Sequence, residues 1–141
     1  MKKKLLFIIL SLLVVFVAIY FITQRTPYKV AEIISEFEIN QNYEVEYFED
    51  DWDIMGDGIN VIVFKLNDKH IIKELSAQCV KKQYLKLPID EELPLNTVYN
   101  YINVADSSGY YKLVVEDDGI SYNIVVVDLT KNKLVVVNET F

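Results

Sequence analysis

Cysteine, histidine and glycine are scarce in this sequence of 141 residues, which holds one Cys, one His and four Gly. The lone Cys79 cannot form an internal disulfide, and His70 alone cannot supply the pair of imidazoles found in many zinc sites. Four glycines leave little room for a backbone loop that cradles phosphate groups. We therefore expect no cofactor and no enzymatic activity, and we expect Cys79 to be buried in a helix.

Positive charge is also scarce, because Arg25 is the sole arginine and 21 acidic residues outnumber 14 basic ones. Four of the basic residues lie at or before Arg25, so residues 26–141 carry ten basic and 21 acidic groups, a net charge of −11. A field of this sign repels nucleic acid and anionic headgroups, and it attracts cations and basic proteins. The alternative is that the charge serves solubility alone.

A long uncharged stretch, by contrast, runs from Leu5 to Ile22. As a helix it would measure about 27 Å, close to the hydrocarbon thickness of a bilayer. No pair of small residues suited to signal peptidase follows it, and a cut after Thr26 would meet Pro27. We therefore predict an uncleaved signal-anchor helix; a cleaved signal peptide is the alternative. The predicted organisation is a cytoplasmic N-terminus at 1–4, a transmembrane helix at 5–22, a short stalk at 23–28 and one domain at 29–141.

The orientation of this anchor follows from the basic residues at its two ends. Lys2, Lys3, Lys4 and the α-amino group precede the run, whereas Arg25 and Lys29 follow it. This excess places the N-terminus in the cytoplasm and the C-terminal domain outside. Abundant Lys, Asn, Ile and Tyr are typical of AT-rich coding, so we predict a single-pass cell-membrane protein of a low-GC bacterium.

Two helices and two strands are predicted in the first half of the domain. Thr26 and Pro27 fit the N-cap and first turn of a helix, with Val30, Ile33, Ile34 and Phe37 at the spacing of one apolar side. Alternating or β-branched residues predict strands at 43–48 and 58–66. A second helix should begin at Asn67 or Asp68 and reach about Lys86, before Pro88.

The last third predicts a three-stranded meander at 110–115, 120–128 and 134–137, with a tight turn at Asp118-Gly119. Valine triplets put apolar groups on both faces of these strands, so helices or a partner must cover the second face. The element order, helix, two strands, helix, three strands, predicts an α+β domain built on an antiparallel sheet. Residues 88–109 carry no clear pattern.

The acidic loop at 49–57 partly resembles a calcium-binding loop, because Asp51, Asp53 and Gly56 fall at its first, third and sixth positions. Met55 and Ile62 occupy positions that need oxygen ligands, which favours a solvated hairpin tip without a metal. Trp52, between two acids, is a candidate anchor for a partner. The alternative is a cation-binding module or small extracytoplasmic enzyme centred on this loop.

Tyrosines cluster around the unreadable segment, at Tyr99, Tyr101, Tyr110 and Tyr111. A tyrosine buries apolar area and keeps a polar tip, so it suits both core rims and interfaces. We include these four with Asp51, Trp52 and Asp53 as candidate partner-binding residues. Together with the anchor and the missing catalytic set, they predict a membrane-tethered binding module that recognises a protein, possibly a basic one, as an immunity protein, inhibitor or accessory subunit would.

Overall fold

The chain folds around an antiparallel sheet, and a computed structural model describes residues 2–52, 57–89, 100–101, 106–116 and 121–140. Over these residues it confirms the α+β class, with three helices and six strands. The helices are α1 (Lys2–Gln24), α2 (Pro27–Ser35) and α3 (Lys69–Lys81). The strands are β1 (Glu44–Trp52), β2 (Gly58–Lys65), β3 (Leu85–Lys86), β4 (Gly109–Val115), β5 (Ser121–Asp128) and β6 (Lys133–Thr140).

The strand order in the sheet is β1-β2-β6-β5-β4-β3, and all neighbours are antiparallel. The predicted hairpin and the predicted meander therefore join through β2 and β6, which pair in full register from Gly58 with Thr140 to Lys65 with Lys133. Strand β1 forms one edge, and its register shifts between Val45 and Tyr47. The predicted turn at Asp118-Gly119 lies outside the described residues.

Helices α2 and α3 cover one face of the sheet, which we call the helix face. Its core is a cluster in which Phe64, Val125 and Val136 from the strands meet Ala31, Phe37, Leu75 and Cys79 from the helices and their flanks. Each helix begins at its predicted cap: Lys29 N donates to Thr26 Oγ1 over 3.3 Å, and His70 N donates to Asp68 Oδ1 over 2.8 Å. These caps satisfy amide groups that the first helical turn leaves unpaired.

The opposite face also carries a buried cluster, built on Val61, Val63, Val126, Val135 and Val137. Leu87, Ile89 and Tyr101 pack against it from the segment after β3. In the described part of the chain, this cluster includes no residue of α2 or α3, and cover by a partner stays a prediction. Part of the segment without a readable pattern packs against this cluster.

Both predicted helices of the domain extend less far than expected. Helix α2 ends at Ser35, and Glu36 takes a left-handed φ of 59°, which turns Phe37 into the core. Ile33 does not join the core and is 68% exposed. Helix α3 ends at Lys81, well before Pro88, because Gln83 takes a φ of 59° and directs Tyr84 against Phe37.

Helix α1 keeps the apolar stretch apart from the core. Every described side chain from Phe7 to Tyr20 is exposed. Over the described residues, no helix combines the length and hydropathy needed to cross a bilayer, so the transmembrane part of the fold prediction lacks support here. Arg25 and Thr26 alone separate α1 from α2.

Candidate functional site: a groove between helix α2 and the sheet

A groove of about 760 Å³ lies on the helix face, between α2 and the sheet. Its walls are apolar, with Val30, Ile33 and Ile34 on α2 and Val114 and Val125 on the strands. This volume falls within the range of small-molecule sites, which are mostly apolar with a few placed polar groups. The exposed Ile33 therefore belongs to a groove wall, which explains why an apolar residue of α2 stays out of the core.

Three asparagines form the polar floor of the groove: Asn60 on β2, Asn138 on β6 and Asn123 on β5. They are direct neighbours across three adjacent strands, because Asn60 pairs with Asn138 and Asn138 with Asn123. Asn138 Nδ2 donates to Asn123 Oδ1 over 2.8 Å, and Asn123 Nδ2 donates to Glu116 Oε1 over 3.2 Å. The hydrogen bonds that run from Asn138 through Asn123 thus end on the carboxylate of Glu116.

The amide of Asn60 has two possible orientations. In one, its Nδ2 donates to Asn138 Oδ1 over 3.4 Å. In the other, its Nδ2 donates to Asp50 Oδ1 and its Oδ1 accepts from Trp52 Nε1, each over 2.8 Å. We assign the second, because two short bonds satisfy more groups than one long bond. In this orientation the amide nitrogen of Asn60 points away from Asn138 and toward the carboxylate of Asp50.

The charges around the groove are balanced. Arg25 and Lys112 line it together with Glu36 and Glu116. Lys112 Nζ lies 3.6 Å from Glu36 Oε2, and Arg25 Nη1 lies 3.3 Å from Asp50 Oδ1. These pairs are partly exposed, so each contributes at most about 1 kcal/mol to stability. Two cationic and two anionic side chains line the groove, so its lining carries no excess charge.

Of the predicted loop residues, Asp51 and Trp52 are described, at the end of β1, and Asp53 lies outside the described residues. Asp51 is exposed, whereas Trp52 is half-buried beside Gly58 and bonded to Asn60. Asp51, Asp57 and Glu139 line a second, smaller cavity of about 300 Å³. Among the described residues, no set of three His, Cys, Asp or Glu side chains could hold a metal ion.

Glu139 has an unusual environment in this second cavity. Burial raises the pKa of its carboxyl above the ordinary value. Its Oε2 atom is buried, and no donor among the described residues lies within hydrogen-bond distance. The protonated form of a carboxyl group is favoured in such a place because it carries no charge to desolvate.

The predicted tyrosine cluster is divided between the two faces of the sheet. Tyr110 packs against the helix-face cluster, whereas its neighbour Tyr111 is buried in the opposite cluster. Tyr101 is half-buried on that opposite face, where its ring centroid lies 5.3 Å from that of Tyr47. Tyr99 lies outside the described residues. Partner binding by these tyrosines stays a prediction, and the three described ones do not form one continuous surface.

Burial also shifts the pKa of groups in the helix-face core. It raises the pKa of the Cys79 thiol to about 12 and that of the Tyr43 hydroxyl to about 12, with Glu74 adding to the effect on Tyr43. Burial likewise raises the pKa of Tyr84. Cys79 is fully buried, as expected. Cys79, Tyr43 and Tyr84 belong to the helix-face core and do not line the groove.

The groove combines a hydrogen-bonding floor with apolar walls, so it can hold a ligand that has a polar group and an apolar part. The described residues that line it include no Ser, Cys or His to act as a nucleophile or base. Comparison with models of protein families, with curated proteins and with solved structures found no match to this chain.

Proposed function

We propose that this chain is a membrane-tethered binding module that holds a ligand in the groove between α2 and the sheet. The observation that carries the proposal is the short distance along the chain between an exposed apolar helix and the groove. Helix α1 exposes every described side chain from Phe7 to Tyr20, and Arg25, directly after this helix, already lines the groove. A contiguous apolar surface of this kind marks contact with a membrane or another protein.

Membrane insertion of α1 is favoured over protein contact by the composition of the whole run. Leu5 to Ile22 carries no charge, and 18 residues of helix would come close to the thickness of a bilayer. The proposal rests on this sequence run and goes beyond the described residues, among which no helix qualifies as a span. The three lysines before it support a cytoplasmic N-terminus and a domain on the outer side. The proposed location is accordingly the outer face of a bacterial cell membrane.

The tether is tested by extracting membranes with alkaline carbonate after expression of the full chain. The chain should stay in the membrane fraction and keep its N-terminal residues. Leu12→Arg with Phe16→Arg should release it, because each arginine at the centre of a span costs about 2.5–3.5 kcal/mol. Release of the unchanged chain, or a mature protein that begins near residue 27, would reject the tether.

The control for this test places arginines at Ile33→Arg and Val80→Arg, two exposed apolar residues of the domain. That variant should remain in the membrane fraction, since it leaves α1 intact. A reporter fused after Phe141 should be active outside the cytoplasm and inactive within it. Activity inside the cytoplasm would reject the proposed orientation.

A basic protein is a second proposed partner, for the acidic surface outside the groove. The net charge of −11 beyond Arg25 supports it, and so does the exposed Asp51 beside Trp52. A photo-crosslinking residue at Asp51 should give a protein adduct in cells, whereas the same residue at exposed Lys131 should not. Equal labelling at both positions would argue against this surface.

A further inference from the structure

The hydrogen bonds on the groove floor point away from a central pair of side-chain oxygens, those of Asn60 and Asn138. On one side, Asn60 donates outward to Asp50. On the other, Asn138 donates outward to Asn123, which donates to Glu116. Because both rows point their donors away from the middle, the oxygens of Asn60 and Asn138 face each other at 3.4 Å.

This pair of oxygens is an acceptor site built by the fold. Asn60 is buried, and its register opposite Asn138 is fixed by the pairing of β2 with β6. Trp52 Nε1 supplies one donor to the Asn60 oxygen, whereas no described residue donates to the Asn138 oxygen in this arrangement. A hydroxyl group of a ligand above the pair would donate its one hydrogen to the Asn138 oxygen, and an acceptor with restricted access to water is stabilised by such a donor.

The charges nearby determine which donor fits. Two cations and two anions line the groove, and Arg25 is also paired with Asp50. Arg25 and Lys112 are each already within 4 Å of a carboxylate, so a carboxylate head would find no unpaired cation, and it has no donor for the floor oxygens. An ammonium head would have to compete with Asn123 for Glu116. An uncharged hydroxyl therefore fits this floor better than either ion.

The apolar walls determine the rest of the ligand. Ile33 and Val114 remain 68% and 39% exposed, so an apolar chain could cover them and gain free energy from burial. We propose that the groove binds an uncharged single-chain amphiphile with a hydroxyl head, of the monoacylglycerol type, and that the membrane supplies it. This inference rests on the proposed tether, which would bring the groove to the source of the ligand.

The test uses the full chain in phosphatidylcholine vesicles and titrates monodecanoylglycerol, decanoate and decylammonium, which share one chain length. Trp52 is the single tryptophan and bonds to Asn60, so its fluorescence reports on the floor. Monodecanoylglycerol should shift this fluorescence saturably, and the two ions should bind at least tenfold more weakly. Equal responses to all three would overturn the hydroxyl assignment, and no saturable response would overturn the site.

Two variants locate the binding. Asn138→Leu should weaken monodecanoylglycerol by about fivefold to tenfold, the effect of one lost hydrogen bond. Asn42→Leu is the matched control, because it makes the same change at an exposed asparagine outside the groove. An equal loss in both, or none in Asn138→Leu, would overturn the acceptor pair.

A third variant covers the case in which the floor variants fail to fold. Ile33→Ser changes an exposed wall residue, so the fold should survive and affinity should fall several-fold. Unchanged affinity would overturn the groove as the site. If decalysine shifts the Trp52 fluorescence and monodecanoylglycerol does not, the groove binds a basic protein, and the proposal of an amphiphilic ligand is wrong. Membrane extraction tests the tether independently, so a failure of ligand binding can be distinguished from a failure of the tether.

Discussion

Ser107 Oγ donates a hydrogen bond of 2.7 Å to Asp128 Oδ2, although both side chains are buried. The other carboxylate oxygen of Asp128 accepts from Thr130 N and Lys131 N, each over 2.9 Å. One buried carboxylate thus shapes the turn between β5 and β6 and joins it to the loop before β4. A buried charge is tolerated when its hydrogen bonds are complete, and it is costly when they are broken.

Replacement of this carboxylate should destabilise the domain. Asp128→Ala removes three hydrogen bonds, one from Ser107 Oγ and two from the backbone amides of Thr130 and Lys131, and we expect a loss of about 3 kcal/mol. Asp128→Asn keeps an acceptor for the amides and should lose less. Urea unfolding followed by circular dichroism measures both, and an Asn variant as unstable as the Ala variant would contradict the assigned bonds.

Two core tyrosines should respond oppositely to loss of the hydroxyl. Tyr43 buries a hydroxyl that has no partner among the described residues, so Tyr43→Phe should leave stability unchanged or raise it. Tyr84 donates to Ser35 O over 3.0 Å, so Tyr84→Phe should cost about 1 kcal/mol. Thermal melts of the two variants give the comparison. Equal destabilisation would mean that Tyr43 has a partner.

Glu139 should make stability decrease as the pH rises. Burial raises its pKa in the folded state, so the folded chain holds this proton more tightly than the unfolded chain. Its contribution is fully present below the unfolded pKa and is lost as the pH passes the folded pKa. Glu139→Gln should therefore melt higher than the parent at neutral pH and show no such gain in acid.

The exposed Glu38→Gln is the control for this pH series, and it should show no comparable gain at neutral pH. A gain for Glu139→Gln that is equal at every pH would show that packing, and not titration, is responsible.

Cys79 should be unreactive in the folded chain. Burial raises the pKa of its thiol from 9.0 to about 12, which lowers the thiolate population near neutral pH about a thousandfold. A chromogenic disulfide reagent should label it slowly in native buffer and at once in concentrated guanidinium chloride. Fast labelling under native conditions would show that α3 opens readily.

Local signals predicted most of the helices and strands. The caps at Thr26 and Asp68 and the β-branched runs of β2, β5 and β6 are determined by neighbouring residues, and the structure confirms them. The ends of α2 and α3 were harder to predict. Each helix ends where the chain turns to bury Phe37 or Tyr84, whose rings stack against each other. The spacing of apolar residues along one helix does not reveal this contact.

The groove floor could not be predicted without the strand register. Asn60 interrupts an apolar run, Asn123 directly precedes one and Asn138 directly follows one, and nothing in the local pattern indicates that the three lie side by side. Their meeting depends on β2 pairing with β6, a contact between distant parts of the chain. The tyrosines show the converse, because Tyr110 and Tyr111 are adjacent in sequence and alternation places them on opposite faces.

Among the described residues, β1 is an outer strand with no strand paired to its other side, and its composition affects how copies of this chain meet. Glu44, Glu46, Glu49, Asp50 and Asp51 all lie on this outer strand. Two copies that paired through it would bring carboxylates together, and like charges across a strand pair oppose association. If the proposed tether concentrates copies of this chain at a membrane, the acidic edge would oppose their association through β1.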